Sequence, residues 1–419
     1  MDEPVNTRDV HRRIADEVLL SAAFEPMVSR VLARRLEPTG REVAIVGAGP
    51  TGLTCAYYLA LLGHSVTVYD PRPAAGGMLR YALPEYRLPK AVLDKEVELI
   101  ERLGVKFQFN VKVGQDLALN DVAHQFDAVF LAIGTWKEAW VYLPGTELAG
   151  VIPALPFLEA VSREEHVPIG RNVVVIGGGN AAIDSARTAR RLGADVTIVY
   201  RRERKDMPAI PEEIEAAEHE GAKVVYLAAP HRIVGDKDGQ VRALEAVRTK
   251  PGEFDAAGRR TPVATDEVIR IECDSVILAV GEKVDPDFSN ASGLKVMEAG
   301  TLEVDRYSLE TSRDRFYAGG DLITGASNVS NAMGIGKKAA RNIDKRLMGQ
   351  ERFASLIPDF AYEMVPPETP SELARHVPGE MPAAQRVQSY AEVSLGLTAV
   401  AARDETARCL RCDIRSAER

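Results

Sequence analysis

At 419 residues the chain is long enough for roughly two or three domains with substantial cores. Its 46% hydrophobic and 27% charged residues suit a globular protein, and no apolar run reaches the length of a membrane span. The net charge of −9 excludes a nucleic-acid binder that works through a basic surface, and the acidic start, MDEPVNTRDVHRR, holds no apolar signal core.

Residues 1–40 read as a helical extension, His11 to Leu36, interrupted near Pro26. Arg30, Arg34 and Arg35 crowd together there, as a solvated face or as a docking patch. The next stretch, Arg41 to Asp70, reads as strand, glycine turn, helix and strand. Glu42 to Val46 is a short apolar run, and Gly47, Gly49 and Gly52 follow with G-x-G-x-x-G spacing. Gly47 permits the tight turn, Gly49 lets backbone approach a pyrophosphate, and Gly52 lets helix and sheet pack closely. Free N–H groups at the helix start face the phosphates. Asp70, 23 positions after Gly47, ends the second strand and is placed to accept from a ribose hydroxyl. Beyond it Gly76-Gly77 marks a loop, Lys90 to Leu103 an amphipathic helix, Gly104 to Val113 a strand or hairpin, and Asp127 to Thr135 a buried strand.

The pattern then starts again. Arg171 to Arg201 repeats strand, turn, helix and strand, with Gly177, Gly179 and Ala182 in the G-x-G-x-x-A variant, 130 residues after the first copy. Two copies at domain-scale separation indicate two nucleotides held by two similar folds. A helix over Glu212 to Glu220 and several short β segments from Lys223 to Ile271 lead to a second buried strand, Asp274 to Gly281. In a third element, Gly319-Gly320-Asp321 ends a strand and a helix begins near Ser330. The tail from Gln350 is proline-rich, then helical, and finishes in ARCLRCD. Four cysteines, Cys55, Cys273, Cys409 and Cys412, are too few for a disulfide framework and point to a reducing cytoplasm. The seven histidines are scattered without ligand spacing, so no metal site is expected.

These stretches resemble the small (β) subunit of NADPH-dependent glutamate synthase and related pyridine-nucleotide:flavin oxidoreductases. The resemblance rests on VAIVGAGPTGL, GGMLRYALPEYRLPK, LAIGT, VVVIGGGNAAIDSARTA, VYRRERKDMPA, LAVGE and AGGDLITGASNVSNAMGIGKKAA, which together span about 41–345. It implies an α/β protein with two Rossmann-like dinucleotide-binding domains. The FAD-binding domain would be discontinuous, 41–150 and 283–349, with the NAD(P)-binding domain, 151–282, inserted in it. Helical extensions would occupy 1–40 and 350–419.

Carried over by position, Gly47, Gly49, Pro50 and Gly52 would hold the FAD pyrophosphate and Asp70 the adenosine ribose, where many relatives carry Glu. Gly77, Met78 and Leu79 would lie near the flavin ring, with Gly134, Thr135, Gly320 and Asp321 along the rest of FAD. The helix starting near Ser330, with Asn331 and Ala332, would aim its positive end at the flavin carbonyl. In the second fold Gly177, Gly179, Asn180, Ala181, Ala182, Arg201, Arg202 and Gly281 would hold NAD(P). Arginine after the second strand suits a 2′-phosphate. Flavin subunits of this type also serve NAD-linked complexes, including tungsten-dependent aldehyde oxidoreductases, so NAD against NADP stays open.

Glutamate synthase small subunits carry an extra N-terminal cluster domain, whereas no cysteine precedes Cys55 here. The chain therefore resembles the flavin module without its clusters, and Cys409 and Cys412 do not complete a four-cysteine site. The expected reaction is hydride exchange between NAD(P)(H) and flavin, with no catalytic side chain required. Electrons would pass to an iron–sulfur subunit and, through it, to a separate catalytic subunit. Two alternatives are a stand-alone disulfide reductase using Cys409 and Cys412, and a non-catalytic scaffold.

Overall fold

Two short helices precede the first strand in the computed structural model, which describes residues 3–139, 142–255, 258–356 and 374–409. Helix α1, Thr7–Leu19, starts where the Asn6 side chain accepts from the Asp9 N–H, and α2 spans Phe24–Leu32. The break falls at Leu20–Ala23, not at Pro26. Pro26 lies in the first turn of α2, where backbone N–H groups have no intrahelical acceptor and proline is tolerated. Arg34 donates to the Leu356 carbonyl, while Arg30 and Arg35 stay exposed.

The first parallel sheet is built from β1 (Glu42–Val46), α3 (Pro50–Leu61), β2 (Ser65–Asp70), α4 (Met78–Tyr81), α5 (Lys90–Arg102), β3 (Lys106–Phe109), α6 (Leu119–Gln125) and β4 (Ala128–Leu131). A two-residue strand, β5 (Lys137–Glu138), follows. β1 lies between β2 and β4. Val43, Ile45, Val66 and Val68 turn to one core with α3 and α5, while Ala44, Val46, Val129 and Leu131 turn to another. Burial on both faces explains why β1 reads as an unbroken apolar run rather than an alternation.

The second sheet repeats the plan with β6 (Val151–Pro153), α7 (Ala154–Ser162), β7 (Asn172–Ile176), α8 (Asn180–Arg191), β8 (Asp195–Val199), α9 (Pro211–His219) and β9 (Lys223–Val225). The expected short β segments are instead three long antiparallel strands, β10 (Ala228–Gly235), β11 (Val241–Phe254) and β12 (Arg260–Glu272). Pro251 and Pro262 face each other across the ladder, and register shifts on either side of Lys250–Pro251 absorb the irregularity. β13 (Ser275–Leu278) then enters the second sheet between β6 and β7, and β14 (Glu282–Lys283) pairs with β5.

After α10 (Pro286–Ser292), β15 (Phe316–Ala318) returns to the first sheet beside β4. The strand orders are thus β15-β4-β1-β2-β3 and β6-β13-β7-β8-β9, with the second sheet's strands lying in sequence between β4 and β15. α11 (Asp321–Thr324) and the 20-residue α12 (Val329–Met348) complete this half, α12 packing along α3.

The tail's described residues, 374–409, hold two helices, α13 (Ala383–Arg386) and α14 (Ala399–Ala407). α14 packs on α1, where buried Glu405 accepts from the backbone N–H groups of Asn6 and His376 at 2.7 and 2.8 Å. The segment before it covers the junction of the two halves: the Val393 N–H donates to the Tyr86 carbonyl and Arg191 Nε to the Ser389 carbonyl. Cys412 lies outside the described residues. Among the described residues no helix is long and apolar enough to cross a membrane.

Candidate functional site

Both glycine turns are shaped by close backbone contact. Gly47 has φ +109°, and a Cβ there would lie 2.4 Å from the Ala132 carbonyl oxygen, just past β4. Gly177 has φ +145°, and its Cβ would lie 2.2 Å from the Ala279 oxygen, just past β13. The two turns are therefore the same construction, each pressed against the strand that follows in its own sheet. Gly52 and Ala182 sit behind them as packing positions. A Cβ on Gly52 would lie 1.9 Å from the Gly47 oxygen, and Ala182 is fully buried.

The turns open into one cleft of about 1060 Å³ at the C-terminal edges of both sheets. From the first half it is lined by Gly47, Gly49, Pro50, Asp70, Gly77, Met78, Leu79, Gly134, Thr135, Asp321 and Ala332. The second half contributes Gly177, Gly179, Asn180, Ala181, Arg201, Arg202 and Gly281. Gly52, Ala182, Gly320 and Asn331 are not on its wall. Gly320, at φ +68°, turns the chain into Asp321, and the Asn331 N–H is taken by the Asn328 side chain at 2.9 Å.

The cleft fits two dinucleotides. α3 and α8 begin at Gly49 and Gly179 without a side-chain cap, so their first N–H groups remain for an anion. A Cβ at Gly179 would meet nothing within 4 Å, and one at Gly49 only the Gly77 Cα at 3.9 Å, so both surfaces are open to a ligand. Asp70 accepts from the Ala48 N–H at 2.8 Å and the Arg72 N–H at 2.9 Å, which orients its carboxylate at the end of β2. Burial nevertheless raises its pKa above the ordinary carboxylate value. Asp321 accepts from Ser327 Oγ at 2.6 Å, and burial raises its pKa too.

Several cleft residues escaped the motif. Glu282 follows Gly281 and is raised by burial and then by the charge of Asp321. Arg87 donates to both carboxylate oxygens of Asp184, at 2.9 and 2.8 Å, and this pair forms part of the wall. Lys90 Nζ donates to the carbonyls of Leu79, Leu83 and Leu88, which ties down the segment behind Met78 and Leu79. Burial lowers its pKa to about 8. Arg259 reaches the cleft from the β11–β12 ribbon. Arg87 and Lys90 carry a sequence signal as members of the LRYALPEYRLPK stretch, as do Asp184 and Glu282 within VVVIGGGNAAIDSARTA and LAVGE, whereas Arg259 carries none.

Among the described residues no cysteine lines the cleft. Cys55 and Cys273 are buried, and burial pushes both thiols up, Cys273 to about 12, so neither is a thiolate at neutral pH. Cys409 is exposed beyond α14.

A family model for pyridine nucleotide-disulphide oxidoreductases matches residues 41–336. The chain is 38% identical over 389 residues to the beta subunit of the NADP(+)-dependent formate dehydrogenase of Moorella thermoacetica, covering 89% of this chain and 55% of that one. To the glutamate synthase (NADPH) small chain of Escherichia coli (strain K12) it is 36% identical over 357 residues, covering 81% and 74%. The chain thus spans little more than half the length of the first relative and about three quarters of the second. FprA of Mycobacterium tuberculosis in complex with NADPH matches with a TM-score of 0.64 at 20% identity, over 75% of this chain and 85% of that one, a likeness of fold.

Proposed function

The chain belongs to the pyridine nucleotide-disulphide oxidoreductase family, the group that includes glutamate synthase small chains, and we propose that it is the flavin subunit of an NADP(H)-linked electron-transfer complex. The family takes FAD and a nicotinamide dinucleotide. FAD supplies the exchange between a two-electron hydride and single electrons. The observation that carries the reading is the shared cleft: both glycine turns and both uncapped helix starts open into one continuous space.

In this reading 41–150 with 283–349 hold FAD and 151–282 hold NADP(H), and the return of β15 to the first sheet supports that division. Gly47, Gly49 and Pro50 present the α3 N–H groups to the FAD pyrophosphate, and Asp70 meets the ribose. Met78, Leu79, Asp321 and Ala332 flank the flavin. Gly177, Gly179, Asn180 and Ala181 present the α8 N–H groups to the second pyrophosphate, with Gly281 beside them. Arg201, at the end of β8, favours NADP over NAD. What this chain contributes to the chemistry is alignment of two bound rings and exclusion of water.

The acceptor is an iron–sulfur subunit, linked to a separate catalytic subunit, in the cytoplasm. The relatives named as a formate dehydrogenase subunit and a glutamate synthase chain support a role within a larger assembly. That no cysteine among the described residues lines the cleft speaks against a stand-alone disulfide reductase. The test is anaerobic titration of the flavin-loaded protein. NADPH is expected to bleach the flavin absorbance and to drive reduction of a one-electron dye, with rapid reduction of clusters once the native partner is added. Flavin colour untouched by NADPH and NADH alike overturns the proposal.

A further inference from the structure

The two arginines that end β8 do different jobs. Arg202 is turned away into the protein, 8% exposed, with Nε donating to the Arg260 carbonyl at 2.8 Å and Nη2 to Asp255 Oδ2 at 3.2 Å. Both partners belong to the end of the β11–β12 ribbon, so Arg202 fastens that ribbon to the second sheet. Arg201 is exposed at the cleft and makes no side-chain hydrogen bond or ion pair with the described residues. Its backbone is held by Thr249 Oγ1, which donates to the Arg201 carbonyl at 2.8 Å.

The ribbon fastened in this way delivers a further guanidinium. Arg259 lines the same cleft as Arg201 and Arg202, and shares Asp255 Oδ2 with Arg202. Asp255 holds it from the backbone side, accepting from the Arg259 N–H at 2.9 Å and donating its own N–H to the Arg259 carbonyl at 2.7 Å. Arg259 Nε stands 3.5 Å from Asp255 Oδ2, and it is buried without a hydrogen-bond partner. Asp255 pairs with both Arg202 and Arg259, and neighbouring Glu203 is paired with Lys205. Arg201, Arg202, Arg259, Arg260 and Lys250 against Asp255, Glu203 and Asp206 leave an excess of positive charge where the second strand of a dinucleotide fold reads the ribose 2′ position. A phosphate there carries close to two negative charges and accepts from forked guanidinium donors.

We propose that Arg259, brought to the cleft by the β11–β12 ribbon, joins Arg201 in recognising the 2′-phosphate of NADP(H), and that Arg202 is a positioning residue that holds the ribbon in place. This rests on the NADP reading above. It assigns nucleotide selectivity to a segment well outside the β-α-β unit, and it takes Arg202 off the phosphate.

The test is the ratio of kcat/KM for NADPH to that for NADH in the flavin-loaded protein, with inhibition by 2′,5′-ADP as a second readout. Arg201→Ala and Arg259→Gln are each expected to lower the ratio about tenfold to a hundredfold, the loss of one or two charge-assisted hydrogen bonds. Arg202→Ala is expected to lower the ratio alone, but to add nothing in an Arg259→Gln background, because it acts through the ribbon. If Arg201→Ala collapses the ratio while Arg259→Gln leaves it unchanged, or lowers both activities equally, the ribbon has no part in selectivity and the inference falls while the NADP reading stands. If the parent protein prefers NADH, or Arg201→Ala leaves the ratio unchanged, the NADP reading falls and this inference with it. Flavin content checks that each variant is folded.

Discussion

Asp184 lies on α8, and the guanidinium that pairs with it, Arg87, comes from the loop before α5 on the other half of the molecule. Burial outweighs the attraction and raises the Asp184 pKa to about 6. Its unfolded value is near 3.8, so the sign is fixed: ionised Asp184 costs stability above pH 6, and the cost is relieved as pH falls from about 6 towards 3.8. Removing Arg87 leaves that carboxylate buried without its cation. Arg87→Ala is expected to destabilise by about 3–5 kcal/mol at pH 8, with a smaller deficit at pH 5 where Asp184 takes up a proton. Asp184→Asn in the Arg87→Ala background should erase the pH dependence of the deficit. Thermal melts across pH 5–8 measure both, and a deficit that does not vary with pH contradicts the assignment. Neither partner was legible as a pair, because nothing in the sequence says that a loop at 87 meets a helix at 184.

At the scale of elements, the helix α12 closes the first half by crossing α3 at its phosphate-facing end. The crossing depends on Gly336, where a Cβ would lie 2.3 Å from the Thr51 carbonyl oxygen. Thr51 is in the first turn of α3, and its backbone cannot yield without moving the Gly49–Pro50 turn. At the far end the same two helices are tied by His64, which follows α3, and Asp344, whose fully buried side chains meet at 2.9 Å. Gly336→Ala is therefore expected to cost about 1–3 kcal/mol by overpacking and to weaken flavin retention. The readouts are the flavin-to-protein absorbance ratio after gel filtration and far-UV circular dichroism. Full flavin retention with an unchanged melting temperature rules the argument out.

Elements that carry one period from end to end were legible, and those that mix signals were not. β1, α3, β2, β7, α8 and β8 each keep one pattern within a strand–turn–helix unit, so their places follow from the residues alone. The ribbon of β11 and β12 did not, because its partly exposed faces carry Glu, Arg and Lys and its prolines imitate breaks. Of the proposed nucleotide contacts, Arg201 follows the fingerprint's second strand, whereas Arg259 arrives from that ribbon and has no local signature. The burial of Arg202 was equally hidden, since the Asp255 that draws it inward lies 53 positions further on.

For the molecule as a whole, the question is what holds two similar halves in a fixed relation. The strand pairing between them is thin: one hydrogen-bonded pair of two-residue strands, β5 and β14, links them. Ion-pair contacts of two arginines supplement it. In one, Arg87 pairs with both Asp184 and Glu213. In the other, Arg72, just beyond β2, donates from Nε and Nη2 to the two carboxylate oxygens of Glu159 on α7, at 3.1 and 3.0 Å. The Arg72 guanidinium also lies 3.4 Å over the Trp136 ring at the cleft wall, so the side chain is fixed on two sides.

The two pairs respond oppositely to acid. Against the rise that burial alone would bring, Arg72 and Arg163 hold the Glu159 pKa below its ordinary value. Its contribution is present above pH 4.5 and is lost only as pH falls through that lowered value, whereas the cost of charged Asp184 has already eased by then. The Arg72–Glu159 pair therefore persists through mild acid. Glu159 does not line the cleft, so Glu159→Gln tests orientation without touching a bound nucleotide. Because misplacement by about 1 Å can cost around a hundredfold, the saturating rate of anaerobic flavin bleaching by NADPH is expected to fall at least about fivefold. Flavin content and the NADPH dissociation constant should hold. Stopped-flow absorbance separates the two quantities. An unchanged rate would mean that the thin strand pair and the Arg87 contact suffice to align the halves. A loss confined to NADPH affinity would place Glu159 within the nucleotide site instead.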